Sequence, residues 1–451
     1  MRAMSTRQAF GRIETDVLAA MGRPGLLFRA ALAICALCFA GGLGLWLHQM
    51  IAGMGVAGIR HPVGWGVYIT NFVFWVGIAH SGTLISAVLF LFRARFRSSF
   101  NRSAEAMTVI AVMTAGLYPL IHLGRSWLFY WLMPYPNQRL LWVNFRSPLV
   151  WDVFAISTYL IVSLVFFYVG LIPDLAALRR RFSGLRAGLY RLLSLGWLGT
   201  AAQWAHYNQL YLFLAALATP LVISVHSVVS WDFATSIVPG WHTTIFAPYF
   251  VAGAIFSGTA MVLTLSIPMR RILRLERHIT VDHMESLAKI LIFTSLIVTY
   301  AYIVEFAMAY YSGHLFETAH FRYRTFGDYR FMFYLMILGN TLLPLTLLWR
   351  RLRRHPGYLL AISLFIHVGM WCERFVIIVT ALAREYDPYS WGTYSPSAVE
   401  IGITIGSFGM FFTLFLIFTK LLPVLSVTEL KERAESPADP ALEGRPGGTA
   451  A

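Results

Sequence analysis

Apolar residues gather into long runs along the chain, at about 26–51, 66–93, 105–133, 149–172, 205–235, 245–269, 284–312, 331–349, 358–384 and 400–424. A helix needs roughly 20 apolar residues to cross the hydrocarbon core of a bilayer, and runs this long and frequent do not fit a soluble core. The pattern predicts an all-α polytopic membrane protein of about ten transmembrane helices. The fifth run is long enough to imply tilt or extension beyond the bilayer. Residues 26–425 form the membrane domain. Residues 1–25 mix acids and bases and read as an interfacial tail. Residues 426–451, rich in Pro, Gly, Ala and Glu, read as a disordered tail. The first run exceeds the apolar core of a signal peptide and reads as a span.

Charge gives the spans a direction. One alternate set of connections holds Arg93, Arg95, Arg97 and Arg102; Arg179, Arg180, Arg181, Arg186 and Arg191; Arg270, Arg271, Arg274 and Arg277; and Arg350, Arg351, Arg353 and Arg354. The other set holds only Arg60, Arg139, Arg146, Arg322, Arg324 and Arg330. By the positive-inside rule the first set faces the cytoplasm, and an even number of crossings puts both termini there. The opposite connections are rich in Trp, Tyr and Pro, as in Pro134-Tyr135-Pro136-Asn137 and 386–396. They read as ordered loops suited to interfacial anchoring or to docking a partner.

Composition sharpens this picture. Of 451 residues 58% are hydrophobic and 13% charged, against about 25% charged in soluble domains. The net charge of +15 sits in the short connections, which argues for membrane topology and against a nucleic-acid groove. The three cysteines, Cys35, Cys38 and Cys372, all lie in apolar runs. Cys35 and Cys38 have C-x-x-C spacing, but Phe39 follows where covalent haem attachment requires His. No metal site is predicted.

An internal repeat is visible. Gly77-Ile78-Ala79-His80-Ser81-Gly82-Thr83 in the second run and Gly253-Ala254-Ile255-Phe256-Ser257-Gly258-Thr259 in the sixth share G-x-x-x-S-G-T. This predicts two four-helix bundles, spans two to five (about 66–235) and six to nine (about 245–384), with the first and last spans outside them. Small residues at this spacing also suit plain helix packing.

Ionisable groups within a span are costly and call for a reason. Tyr118, His122 and Arg125 share one face of the third span's outer half. Asp152 lies one turn inside the fourth, His226 and Asp232 are near the outer end of the fifth, and His80 is mid-way along the second. Aligning Glu105 with Glu285 sets Tyr302 opposite His122 and Glu305 opposite Arg125, so the His-rich set belongs to one half. Plainer readings stand beside these. Arg125 with Asp152 is readable as a buried pair without chemistry, as is Glu373 with Arg374. His226 and Asp232 are readable as interfacial groups, and His80 as a hydrogen-bonded core residue. Glu105, Glu285 and Lys289 read as solvated. His80, His122 and His226 are also compatible with haem ligation.

A His–carboxylate pair in a flat apolar pocket suits quinol oxidation, in which two electrons and two protons leave together. Trp75, Tyr118 and Trp151 are candidate walls for the ring. The chain has no redox centre of its own, so electrons would pass to a partner on the outer face. A secondary transporter is the rival class, since Pro119 and Pro220 interrupt two spans.

The segments PVGWGVYITNFVFWVGIAHSGTLISAVLFLFR from Pro62, AEAMTVIAVMTAGLYPLIHLGRSW from Ala104, PYPNQRLLWVNFRSPLVWDVFAISTY from Pro134 and TPLVISVHSVVSWDFATSIVPGWHTTIFAPYFVAGAIFSG from Thr219 carry a resemblance. The chain resembles the NrfD/polysulfide-reductase membrane-subunit family, most closely the ActC-type quinol-binding subunits of alternative complex III. The resemblance implies two four-helix bundles and a menaquinol or ubiquinol site near the outer face of the bacterial cytoplasmic membrane. His122 and Asp152 match the pair that contacts the quinol head group, with His80 and Tyr118 lining the pocket. Asp232 matches a proton-route carboxylate, joined by His226, Glu305 and Glu373. The implied partners are an iron–sulfur subunit on the outer face, multihaem cytochromes c that hold the haems, and a second, homologous NrfD-like membrane subunit. A related quinone-linked reductase is the nearest alternative. In the quinol reading Asp152 accepts a proton, His122 bonds the ring oxygen and Arg125 tunes Asp152.

Overall fold

The computed structural model describes residues 6–133 and 144–435. The Pro134-Tyr135-Pro136-Asn137 segment, Arg139 and the tail from 436 onward lie outside the described residues.

The described chain is helical, with ten helices long and apolar enough to span a membrane. A short helix α1 (Thr6–Ala20) precedes the first span, α2 (Leu26–Ala52). The next spans are α3 (Val67–Leu91), α4 (Asn101–His122) and α5 (Pro148–Leu178). A surface helix α6 (Gly184–Leu193) leads into the spans α7 (Ala201–Ala234), α8 (Phe246–Ile272) and α9 (Val281–Tyr311). Helix α10 (Leu315–Phe326) connects α9 to α11 (Arg330–Leu348); α12 (Pro356–Ala383) and α13 (Ala398–Leu421) complete the spans, and α14 (Val427–Glu435) follows.

Helices α3, α4, α5 and α7 pack around one another, as do α8, α9, α11 and α12. The two groups meet where α3 crosses α8, with α7 against α8 and α12 against α3. Helices α2 and α13 pair with each other and lean on α4. In the most apolar stretch of α2 only 6% of the residues are buried, so that helix lies at the edge of the bundle with α13 as its main neighbour.

The repeat is the seam between the groups. Ser81 Oγ donates to the Ile255 carbonyl at 2.7 Å and lies 3.2 Å from Thr259 Oγ1. A Cβ on Gly258 would sit 2.6 Å from the Ile78 carbonyl oxygen, and one on Gly82 would meet the Ala104 carbonyl oxygen at 2.2 Å. Backbone cannot yield as a flexible side chain does. Gly258→Ala is therefore expected to cost about 1–3 kcal/mol through overpacking. Gly116→Ala, where a Cβ meets nothing within 4 Å, serves as the control. Thermal melting of the detergent-purified chain reads the difference, and equal melting of both variants would remove the seam from the account of stability.

The paired cysteines have a packing role. A Cβ on Gly409 would lie 2.8 Å from both the Cys35 carbonyl oxygen and Cys38 Cβ, and one on Gly42 would lie 2.5 Å from Gly406 Cα. Small residues on both helices let α2 and α13 touch backbone to backbone.

Two boundaries differ from the sequence reading. The third span ends at His122, not near 133. Pro119 withholds a backbone N–H in the last turn. Gly124 then turns at φ +68, where a Cβ would strike Met54, and Ser126–Leu132 continue as a 3-10 turn. That turn exposes Trp127, Phe129 and Trp131, whose apolarity extended the run. Residues 427–435, assigned to a disordered tail, form α14, which buries Val427 and Leu430.

The arginine-rich connections share one end with α1 and α14. There Arg102 is 2% exposed. Its Nη1 donates to Glu105 Oε2 at 2.8 Å, and its Nη2 donates to Asp174 Oδ2 at 3.0 Å and to the Gly170 carbonyl at 2.6 Å. Tyr211 donates to Glu105, and Thr428 of α14 donates to Asp174. Glu429 pairs with Arg97 at 3.1 Å; burial pushes its carboxyl up against the pull of Arg97 and Arg102. Glu105 is thus a buried network member rather than a solvated group. Glu285 is likewise paired, with Arg353 at 2.9 Å and with Arg354.

Glu14 of α1 joins the terminal helices, pairing with Lys431 of α14 and with Arg181 at 2.9 Å. Burial alone would raise its carboxyl, but Lys431 and Arg181 outweigh that and hold it below 4.5. A folded value below the unfolded one stabilises the contact above pH 4.5 and loses that contribution as pH falls through the folded value. Hydrogen-exchange protection of α1 and α14, taken relative to the intrinsic rate at each pH, is expected to fall together below about pH 4.5. Glu14→Gln should remove that dependence, and an unchanged acid response in this variant would exclude Glu14 as its source.

Candidate functional site

Depth along the spans, as read from sequence, placed the ionisable residues at common levels. The structure adds which of them face one another.

Near the end opposite the arginines, Asp152 of α5 and Asp232 of α7 lie within hydrogen-bonding reach of each other. Asp152 is buried, and Oδ1 of each carboxyl has no hydrogen-bond partner among the described residues. Two carboxylates are acceptors only, so their contact is a hydrogen bond when one proton lies between them. The pair can therefore take up and release a proton without rearrangement.

Arg125 does not belong to this pair. It is exposed and forms no ion pair among the described residues, so Asp232, not Arg125, is the ionisable neighbour of Asp152. The physical reason is the early end of α4: Arg125 lies beyond the last helical turn, at φ -91 and ψ 73, and leaves the face that Tyr118 and His122 share. His122 closes α4, half-buried, with Nδ1 lacking a partner among the described residues. Among these residues it makes no hydrogen bond or ion pair with Asp152. Trp151 is half-buried, donates to the Phe145 carbonyl at 2.6 Å and meets Trp231 edge-on at 6.0 Å.

A second cluster lies deeper. The His80 and His226 rings meet at 4.5 Å and 61°, and Tyr159 stacks on His80 at 5.1 Å. His80 Nδ1 lies 2.6 Å from the Val76 carbonyl, which assigns a proton to Nδ1. Both nitrogens of His226 are buried without partners among the described residues, so this residue is neither interfacial nor solvated. Asp232 is six residues further along α7, about 9 Å by helical rise, too far for a direct hydrogen bond between the two levels.

His226 also faces the second helix group. Its ring lies 5.8 Å from Phe250, and the Arg374 guanidinium covers the same Phe250 at 4.4 Å. Arg374 pairs with Glu373 at 2.9 Å, and Gly253 makes room, since a Cβ there would meet Arg374 Nη2 at 3.1 Å. Tyr302 donates to Glu373, and Asn340 Nδ2 donates to both, at 2.9 Å to Tyr302 and 3.2 Å to Glu373. Asn340 sits in a π-helical turn, Leu338–Leu342, just before Pro344. Glu305 is buried with Arg324 of α10 at 3.9 Å. Burial pushes the imidazole of His320, also on α10, well below its ordinary range, and Arg324 adds to this.

Trp75 was a candidate wall for the same pocket, but it faces the other way. It is fully buried against Phe408 and Phe411 of α13, each at 4.9 Å, and its Nε1 donates to Ser407 at 3.2 Å. Tyr118 is buried beside the same helix. Tyr159, Asn340, Asp174 and His320 escaped the sequence reading. Of these, Asp174 had a signal: an acid inside an apolar run.

The family model described as polysulphide reductase, NrfD, matches residues 55–384. A Halobacterium salinarum protein, named provisionally as a membrane subunit of dimethyl sulfoxide reductase, is 29% identical over 85% of this chain and 88% of its own length. A selenate reductase subunit of Mesobacillus selenatarsenatis is 22% identical, over 84% and 90%. The Hdr-like menaquinol oxidoreductase integral membrane subunit of Archaeoglobus fulgidus is 21% identical, over 87% and 93%.

Proposed function

The chain belongs to the polysulphide reductase NrfD family, and from that premise we propose that it is the quinol-oxidising membrane subunit of a respiratory or photosynthetic electron-transfer complex. The observation that carries this reading is the Asp152–Asp232 carboxyl pair, with one unpaired oxygen on each, near the end of the spans opposite the arginines. In the reaction, quinol becomes quinone and releases two electrons and two protons. Asp152 accepts a proton from the ring hydroxyl, and Asp232, in contact with it, takes that proton on. His122, with Nδ1 free, accepts the hydrogen bond of the other ring hydroxyl and takes the second proton. The His80–His226 pair and the Glu373, Tyr302 and Glu305 groups offer further proton-holding positions toward the second helix group.

The electrons leave to an iron–sulfur subunit docked on the tryptophan- and tyrosine-rich face. In the alternative complex III arrangement they continue to multihaem cytochromes c, beside a second NrfD-like membrane subunit. The basic face is then cytoplasmic, as the positive-inside rule requires, and the membrane is the bacterial cytoplasmic membrane. Menaquinol, the substrate named for the A. fulgidus relative, is favoured over ubiquinol. The names of the other two relatives favour a second arrangement, in which the same quinol-oxidising step feeds a reductase. Subunits that co-purify with the chain separate these arrangements. The quinol step itself is tested by turnover of the Asp152→Asn complex.

A further inference from the structure

Helix α5 is longer than a bilayer core is thick: its 31 residues rise about 46 Å at 1.5 Å each, against about 30 Å of hydrocarbon. The arginines that follow Leu178 mark the end that emerges. A cavity of about 550 Å³ opens there, between Pro173 and Ala177 of α5, Glu14 of α1 and the turn that leads into α7. Arg179, Arg180 and Arg181 line it, together with Trp197 and Leu198. The residues on both flanks of α6 thus wall one cavity, and α6 sets its depth. Leu185, Leu189 and Leu192, at spacings of four and three, form an exposed row on α6. Arg186 and Tyr190 donate from the same helix to the Lys420 and Leu421 carbonyls at the end of α13. A leucine row on a helix pinned across the ends of the spans belongs at the boundary between acyl chains and head groups.

The charges around this cavity do not cancel. Glu14 is the carboxylate among its lining residues, and it is shared by Arg181 and Lys431. Arg179 and Arg180 have no acidic partner among the described residues. Arg179 is nevertheless held in place. Its Nη1 donates to Ser194 Oγ at 3.2 Å and its Nη2 to the Trp197 carbonyl at 3.0 Å. Both acceptors are neutral, so the guanidinium keeps its full charge. The turn it grips is fixed by the chain itself: Gly196 and Gly199 stand at φ +71 and +77, and the backbone N–H groups of Leu198 and Gly199 both donate to Gln203 Oε1 at 2.9 Å. Arg180 is exposed and makes no side-chain hydrogen bond among the described residues. One anchored guanidinium beside a free one suits an anion with several acceptor oxygens, and the planar fork matches phosphate.

We propose that this cavity binds the phosphodiester head group of an anionic membrane phospholipid, with the phosphate oxygens on Arg179 and Arg180 and the acyl chains leading away past Leu198. A lipid is favoured over a soluble phosphate because Leu198 lines the cavity and is exposed, and because α6 sets the cavity at head-group depth. A soluble anion uses the arginines and leaves the leucines without a partner. Trp197, edge-on to Trp204 at 5.0 Å, adds the indole that favours the same layer.

The test is native mass spectrometry of the purified complex, delipidated in detergent and titrated with phosphatidylglycerol. Phosphatidylcholine is the zwitterionic control and inorganic phosphate the competitor. Arg180→Gln is expected to weaken the tightest phosphatidylglycerol binding about tenfold, the worth of one hydrogen bond to a charged group. Arg180→Lys should recover part of it, since charge returns without the fork. Arg180 is exposed and unpaired among the described residues, so its replacement leaves the fold intact. Arg191→Gln removes an exposed arginine of α6 that does not line the cavity, and should leave the affinity within about twofold. An equal loss in Arg191→Gln overturns the proposal, and so does equal retention of phosphatidylcholine, since either makes this end a diffuse basic surface. Displacement of the lipid by inorganic phosphate at equal concentration also overturns it, leaving a site for free anions.

Discussion

Replacing Asp152 by Asn is expected to lower quinol-driven turnover by roughly 10²–10⁴-fold, the range over which a positioned general base acts. The amide keeps the shape of the carboxyl and can still hydrogen-bond Asp232, so the helices α5 and α7 remain packed and the complex assembles. What is lost is the ability to accept a proton. Asp232→Asn should slow turnover less if Asp232 only relays, because Asp152 still takes the first proton. Quinol:acceptor turnover is measured beside a subunit inventory of each complex. Turnover near the wild-type rate in an assembled Asp152→Asn complex sinks the assignment. Arg125→Gln is the informative companion: with Arg125 exposed and away from the pair, turnover should stay within about twofold, far below the effect of losing a general base.

The second large effect is on stability. Arg102→Met is expected to destabilise the chain by roughly 3–5 kcal/mol, the cost of breaking a buried ion pair by removing one partner. Its guanidinium serves Glu105, Asp174 and the Gly170 carbonyl at once. Without it, two buried carboxylates face each other across an apolar gap, with Glu429 of α14 nearby. Arg102→Lys keeps the charge but lacks the planar fork that reaches three acceptors, so it should recover only part of the loss. Melting of the purified chain and the yield of folded protein in membranes are the readouts. If Arg102→Met melts at the wild-type temperature, the network does not hold the basic end together.

Much of the fold was legible because a bilayer imposes it. Run length gave the spans, and arginine placement gave them alternating ends. The repeat also proved informative, but about packing: Ser81 and Gly258 meet across the seam. Depth along each span was equally readable, and it set Asp152 level with Asp232. Hydropathy carries no information about which way a side chain points around its helix. Trp75 was therefore assigned to the pocket although it packs against α13, and Arg125 was assigned to Asp152 although α4 ends before it. The Arg102 network was hidden for a different reason. Its partners lie 72 positions apart between Arg102 and Asp174, and 254 between Asp174 and Thr428, distances over which no local pattern runs.

Those separations bear on how the protein is made. Arg102 enters the membrane early, within the third span to leave the ribosome, together with Glu105. Asp174 arrives a span later, while Thr428 and Glu429 are synthesised only after every span. Until then Asp174 lacks Thr428 and Arg97 lacks Glu429, leaving the basic end open to water. Helix α14 is thus the closing piece of biogenesis. A chain cut short before it would carry all of its spans and still lack the contacts that finish the fold.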